Sequence, residues 1–267
     1  MLNAKLKFMI ASEQTPVYYA SQSGANAQLK LEGQFEEIVV NIENGRPTQE
    51  QHSLDREGFQ LVQHKSEVDN FYDLKQIENM YNREVVQLIK GITGAQRVKV
   101  FDHTHRADSD AQRTQLGARE PSNIVHNDYT AKSAKQRIID LMPESEADAL
   151  LSQRFAIINV WRAISHPAQT SQLALCDTTS FKAGSGYPVE RRAKDRIGEL
   201  MMASFDPDNR WFYFPAISPE EALLLKTFDS DGEARASFCL HSAFDHPQPA
   251  PNARPRESIE TRVLAFF

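Results

Sequence analysis

Cysteine is scarce in this chain: only Cys176 and Cys239 occur, far apart and with no CxxC pair. That excludes a disulfide framework and a cysteine-built zinc finger, and it suits a reducing compartment. Long apolar runs are missing too, and none approaches the ~20 residues a membrane-spanning helix needs. The opening Met1-Leu2-Asn3-Ala4-Lys5-Leu6-Lys7-Phe8-Met9-Ile10 carries two lysines and a short apolar patch. Ser12-Glu13-Gln14 follows where a signal peptide would continue its apolar region and cleavage site, so no such signal is expected. Positive charge is in deficit, with a net charge of −6 and a pI near 5.8. A nucleic-acid binder would carry a basic stripe, so that partner is not expected. What remains, 40% hydrophobic and 25% charged residues in 267, is the composition of an ordinary globular domain. The expectation is a cytoplasmic protein without nucleic-acid or membrane partners. Nothing in the sequence sets its oligomeric state.

Residues 1–66 are polar and weakly patterned, apart from a strand candidate Phe35–Ile42 closed by Asn44-Gly45. From Phe71 to Ile92 apolar residues recur three or four apart, which predicts a helix over about 71–92. Asp69 or Asn70 is its expected N-cap, and Gly91 or Gly94 its stop. A strand is expected at Arg97–His103, then a polar loop over 106–117, then helices from Ser133 and from Pro143-Glu144 to Leu151. Beyond that the pattern is β: 155–161, 173–176, 211–215, 222–228, 236–241 and 258–267, separated by turn-rich segments. Helices mainly precede strands, so the expected class is α+β with a sandwich or jelly-roll core. One domain over 1–267 is expected, as an N-terminal extension (1–94) with a bracing helix and a core (95–267).

The chemistry starts at Ile124-Val125-His126-Asn127-Asp128-Tyr129-Thr130. In an extended segment His126 and Asp128 leave the same face, offering an imidazole and a carboxylate together. An H-x-D triplet alone is weak, since this composition yields about one half by chance. One later histidine would complete the 2-His-1-carboxylate set of non-haem Fe(II) oxygenases. His241, after the apolar run Ala236–Leu240, is the candidate, ahead of His103, His105 and His166. Downstream of it Arg256-Glu257-Ser258 opens the final strand. A guanidinium fork matches a carboxylate, and Arg256 and Ser258 share a strand face. Tyr129 is expected to face away from the ligands.

The order H-x-D, strands, His, R-x-S is that of Fe(II)/2-oxoglutarate oxygenases. The segments Asn159-Val160-Trp161-Arg162, Leu173-Ala174-Leu175-Cys176-Asp177, Trp211-Phe212-Tyr213-Phe214-Pro215, Leu224-Leu225-Lys226-Thr227-Phe228-Asp229-Ser230, His241-Ser242-Ala243-Phe244 and Pro255-Arg256-Glu257-Ser258-Ile259-Glu260-Thr261-Arg262 carry the likeness further. Over residues 95–267 the chain resembles the family that groups cephem methoxylase-related proteins with AsaB-type hydroxylase/desaturases. The resemblance implies a double-stranded β-helix (a cupin-like jelly roll) with flanking helices, and chemistry that uses Fe(II), 2-oxoglutarate and O2. It implies His126, Asp128 and His241 as metal ligands, with Arg256 and Ser258 on the far carboxylate of 2-oxoglutarate. Arg262, on the same strand parity, is the second candidate anchor.

The expected reaction is hydroxylation or desaturation of a small specialised metabolite or amino-acid-like molecule, with release of succinate and CO2. Two other readings stand beside it: a cupin-type dioxygenase or isomerase without 2-oxoglutarate, and a non-enzymatic jelly-roll binding module. A cation in a β-rich segment is costly to bury without a partner. Arg162 and Lys226 are therefore candidates to bind a substrate carboxylate or to pair with protein acids. Trp161 is a candidate wall of the substrate site.

Overall fold

The computed structural model describes residues 1–12, 16–20, 30–194, 196–232 and 235–267; Glu13 and Gln14 lie outside that set. The described residues form fifteen strands: β1 (Leu2–Met9), β2 (Val17–Tyr19), β3 (Lys30–Glu32), β4 (Phe35–Asn44), β5 (Phe59–Gln63), β6 (Arg97–Ala107), β7 (His126–Asn127), β8 (Phe155–Ala163), β9 (Gln172–Cys176), β10 (Gly186–Ala193), β11 (Arg196–Ala203), β12 (Trp211–Tyr213), β13 (Glu221–Asp229), β14 (His241–Phe244) and β15 (Glu257–Phe266). They make a ten-stranded sheet ordered β1-β4-β12-β9-β14-β7-β11-β10-β2-β3 and a five-stranded sheet ordered β5-β13-β8-β15-β6. This is the jelly roll expected from the strand pattern.

The five-stranded sheet is covered on both faces, which explains why its strands read as continuous apolar runs rather than alternating ones. Ile158, Val160, Leu224, Ile259 and Val263 point outward. They meet Ile77, Tyr81, Val85 and Ile89 of a helical segment that runs from Leu74 to Thr93 with one π turn at Ile77–Tyr81. Asp73, rather than Asp69 or Asn70, caps its start, because its side chain accepts from the Lys75 N–H. Gly94 ends it in the left-handed region (φ 74°), which glycine adopts without a Cβ clash.

The opposite face of β8 is graded along its length. Phe155 and Ile157 pack with Leu264 and Phe266 under the helix Ala131–Leu141. Asn159 comes next and Trp161 after it, pointing between the sheets. The polar site therefore sits where the helical cover stops.

The segment 1–94, expected as an N-terminal extension, supplies β1 and β4 to one edge of the large sheet and β5 to an edge of the small one. Two sequence expectations need correction. The run Ala236–Leu240 is not a strand; β14 starts on His241. The loop expected at 106–117 holds a short helix, Asp110–Leu116, capped by Ser109. The hairpin β10–β11 has no counterpart in the sequence reading, since its charged residues hide the alternation.

Candidate metal centre

β7 and β14 pair at one register point, where His126 lies opposite His241. That pairing brings the two imidazole centroids to 4.5 Å. β7 is only two residues long, and Asp128 falls just beyond it, yet Asp128 Oδ1 still lies 3.6 Å from His126 Nε2. One donor atom from each of His126, Asp128 and His241 lies within 4.8 Å of the other two. Each histidine is fixed from behind: His126 Nδ1 bonds the Ile124 carbonyl at 2.7 Å and His241 Nδ1 the Cys239 carbonyl at 3.0 Å. A carbonyl only accepts, so each Nδ1 carries the proton and each Nε2 lone pair is left for a metal. Burial, and then the His126 charge, push His241 down to about 4, which keeps it in the neutral, ligating form.

Asp128 is oriented just as closely. Its Oδ2 accepts from Asn159 Nδ2 and from Arg262 Nε, both at 2.9 Å, which leaves Oδ1 toward the histidines. Burial alone would raise its pKa, but the Arg262 charge and the histidines outweigh it and hold the carboxyl well below the usual range. Arg262 also donates to Asp102 at 2.7 Å, to Thr104 Oγ1 at 3.0 Å and to Glu260. Two neutral imidazoles and one anionic carboxylate on one side of a buried site suit a divalent ion with open positions.

Asn127, between the ligands, ties β7 to the other sheet. Its fully buried amide donates to the carbonyls of Tyr129 (2.6 Å) and Thr227 (2.9 Å). Asn127→Ala is expected to lose roughly 1–3 kcal/mol for each carbonyl left without a donor. Chemical denaturation would measure this, and an unchanged midpoint would count against the staple.

The sequence profile of a family described as an oxidoreductase/YMDC permease-like domain matches residues 6–266. The hydroxylase/desaturase CTB9 of Cercospora beticola is 30% identical over 254 residues, covering 87% of this chain and 78% of that protein. The hydroxylase/desaturase efuI of Hormonema carpetanum is 31% identical over 266 residues, covering 91% and 88%. A solved variant of the iron and alpha-ketoglutarate-dependent endoperoxidase NvfI superimposes with a TM-score of 0.84 at 25% identity, covering 99% of this chain and 98% of that one. The chain belongs to the hydroxylase/desaturase family of Fe(II)/2-oxoglutarate-dependent dioxygenases. Its cofactor is Fe(II), with 2-oxoglutarate and O2 as co-substrates. The comparisons favour neither the cupin-type enzyme nor the binding module. Among the described residues no helix is long and apolar enough to cross a membrane.

Between the sheets also lies a buried guanidinium with a neighbouring hydroxyl, both with atoms left unpartnered. Arg256 is 1% exposed, its centre 5.6 Å from the Trp161 ring, and Nη1 donates to the Ser171 carbonyl. Its Nε and the neighbouring Ser258 Oγ are buried without a hydrogen-bond partner. Burial, and then the Arg106 charge, push the Arg256 guanidinium down to about 10, as expected of a buried cation that lacks its anion. Ser171 holds its carbonyl there with φ 42°, a strained value for a residue with a Cβ.

The remaining sequence candidates go elsewhere. Arg262, the second candidate anchor, is spent on three carboxylates, so its part is to position Asp128. Arg162, proposed for a substrate carboxylate, lies on the helix-facing side of β8 and donates to the carbonyls of His64 (2.7 Å) and Pro219 (2.6 Å). Lys226, the other such proposal, is paired with Asp55 at 2.7 Å and Asp229 at 2.9 Å. Both burials are satisfied by the protein's own groups, which removes the reason for assigning them a ligand. Trp161 does face inward, beside Arg256, and its indole N–H has no partner. His103 and His105 bond Thr261 Oγ1 and the Phe71 carbonyl; Tyr129, expected to face away from the ligands, packs against Ala134 and Ile138 but also lines the cavity beside Asp128. Asn159 and Asn127 were missed as supports, and an Asn spaced along an apolar strand is the only signal that marks them.

Proposed function

We propose that this dioxygenase hydroxylates or desaturates a small specialised metabolite in the cytoplasm, with His126, Asp128 and His241 holding Fe(II) and Arg256 with Ser258 holding the far carboxylate of 2-oxoglutarate. The observation that carries this is the tying-back of all three ligands: each Nδ1 and Asp128 Oδ2 is occupied from behind, which leaves Nε2, Nε2 and Oδ1 facing one point. Bound there, Fe(II) with 2-oxoglutarate and O2 supplies an oxidant able to take hydrogen from a C–H bond, with succinate and CO2 as co-products. The protein's own part is to place and to protect. Asp128 keeps its charge because Arg262 and Asn159 hold it, and an anionic ligand favours the divalent ion. Arg256 and Ser258, orphaned and buried, gain the partners they lack when a carboxylate arrives, which offsets their desolvation. Trp161 walls that seat on the Arg256 side. The two free, buried cysteines fit the reducing compartment in which Fe(II) persists.

Adding Fe(II) and 2-oxoglutarate to the anaerobic protein is expected to give the visible charge-transfer absorption of an iron-chelated keto acid, and admitting O2 to release succinate. Arg256→Ala is expected to raise the 2-oxoglutarate concentration needed for half of that absorption by roughly ten- to a hundredfold, the worth of a charge-assisted contact. A protein that gives neither signal under any loading is not acting on this co-substrate.

A further inference from the structure

We propose that the cavity bordering Asp128 on its Arg262 side is the seat of a carboxylate carried by the substrate, gripped by Arg119 and Arg191. This rests on the dioxygenase reading for what arrives there, but the seat is argued from its own residues. The cavity, about 90 Å³, is lined by His126 and Asp128 and by six arginines against three carboxylates. Those carboxylates are already engaged. Asp128 and Asp102 are held by Arg262, and Glu199 by Thr130 and Lys132. Arg137 and Arg196 share one carboxylate, Asp140, at 3.9 and 3.6 Å, and Arg106 gives Nη1 to the Glu120 carbonyl. Among the described residues neither Arg119 nor Arg191 forms an ion pair, and Asp102, already bonded to Arg262, acts on Arg119 only through its charge.

A guanidinium cannot shed its charge by deprotonation in the physiological range, so a half-buried surplus of this kind is costly until an anion joins it. The cost is visible at Arg119, whose pKa is lowered by burial and then by the charges of Arg106 and Arg191. The backbone is arranged to keep the surplus open. Tyr18, Arg191 and Gly198 stand at adjacent register positions on β2, β10 and β11. Gly198 contributes no side chain, and the Arg196 guanidinium lies 3.6 Å from where a Cβ would be. Burial raises the Tyr18 pKa, so its hydroxyl remains a donor.

The co-substrate does not account for this surplus. Arg256 and Ser258 are not among the residues that line the cavity, and they form their own seat. A cavity this small takes an anionic group rather than a whole metabolite, and the paired forks of two arginines match the two oxygens of a carboxylate. The substrate of this dioxygenase is therefore an acid, oriented by its carboxylate with its reacting carbon toward the metal ligands.

The probe is propionate against propionamide, which differ in charge more than in shape. Each is titrated into the full chain loaded with Zn(II) and N-oxalylglycine, a non-reactive isostere of 2-oxoglutarate, and followed by ligand-observed NMR. Propionate is expected to bind and propionamide not, and the binding is expected to weaken as ionic strength rises. Arg119→Gln and Arg191→Gln are each expected to weaken it by roughly tenfold or more. Lys194→Gln, an exposed charge at the turn of the same hairpin, is expected to leave it unchanged. If either glutamine variant fails to fold, Arg191→Lys keeps the charge without the fork and is expected to bind at an intermediate level. The proposal is overturned by equal binding of acid and amide, by no binding of propionate, or by arginine variants that match the wild type. It is also overturned if N-oxalylglycine displaces propionate, which would assign these arginines to the co-substrate. The charge-transfer absorption with Fe(II) and 2-oxoglutarate is read separately, so loss of this seat and loss of the dioxygenase reading are distinguishable.

Discussion

Asp128→Ala is expected to abolish iron retention and succinate release, with turnover down by more than the roughly 10–100-fold that outer supports of a metal site are worth. Three effects act in the same direction. The variant removes the only anionic ligand of the three, leaving two neutral imidazoles. It also takes one of three carboxylates from Arg262, whose Nε loses its 2.9 Å partner while the guanidinium stays buried beside the metal position. A buried cation next to a divalent ion opposes the very charge the site must hold. Finally, the Asn159 amide loses its acceptor and no longer orients anything. Metal content after desalting and succinate released per protein would both fall to background. Asp128→Glu keeps the charge one methylene further out and is expected to recover part of the metal but little turnover. An alanine variant that keeps stoichiometric iron and turns over would place the metal elsewhere in the fold.

Arg262→Met is expected to destabilise the protein by about 3–5 kcal/mol, because it leaves buried carboxylates without their counter-ion. Arg262 is the shared partner of Asp128, Asp102 and Glu260, and the side chains of Asp128 and Glu260 are mostly inaccessible. The pH dependence gives the mechanism away. In the wild type Asp102 and Asp128 sit below the usual carboxylate range; burial would raise both, and Arg262 outweighs it. A depressed carboxyl contributes stability that is present above the unfolded value of about 3.9 and is lost as pH falls through the lower folded value. Without Arg262, Asp128 keeps its burial but loses its largest charge partner, so its folded pKa rises. The variant then gains stability relative to wild type as pH falls from neutral toward 4. Denaturation at pH 7 and pH 5 would show a deficit that shrinks with acid, whereas one equal at both pH values would mean lost packing rather than lost charge. Added Fe(II) is expected to restore part of the neutral-pH deficit, since a cation that binds only the folded state supplies a partner to Asp128.

Much of the site was legible in the linear order of residues. His126, Asp128, His241, Arg256 and Ser258 were named from their spacing on strand-like segments; His126, His241, Arg256 and Ser258 lie buried and Asp128 partly so. Their legibility has a physical basis: the first pair is local, and strand parity alone sends both residues to one face. The burial of Arg162 and Lys226 was equally legible, but not its purpose. A cation in an apolar strand must have a partner, and the sequence does not say whether that partner is a carbonyl 98 residues away, as for Arg162, or a ligand. The hairpin β10–β11 was missed because Arg191, Arg192 and Arg196 interrupt the apolar alternation that marks a strand.

By itself, then, the order of residues determined the helix on Tyr81, Val85 and Ile89, the apolar strands of the small sheet, and which histidine and carboxylate types could meet. Those depend on periodicity, and periodicity is a property of the chain. Only the tertiary structure decided that Nδ1 of each histidine is tied to a carbonyl, that Arg262 is shared by Asp128, Asp102 and Glu260, and that Arg119 and Arg191 line one cavity from segments far apart in sequence. Those depend on how much charge is left over when two sheets close on each other, and that sum is made across the fold, not along the chain.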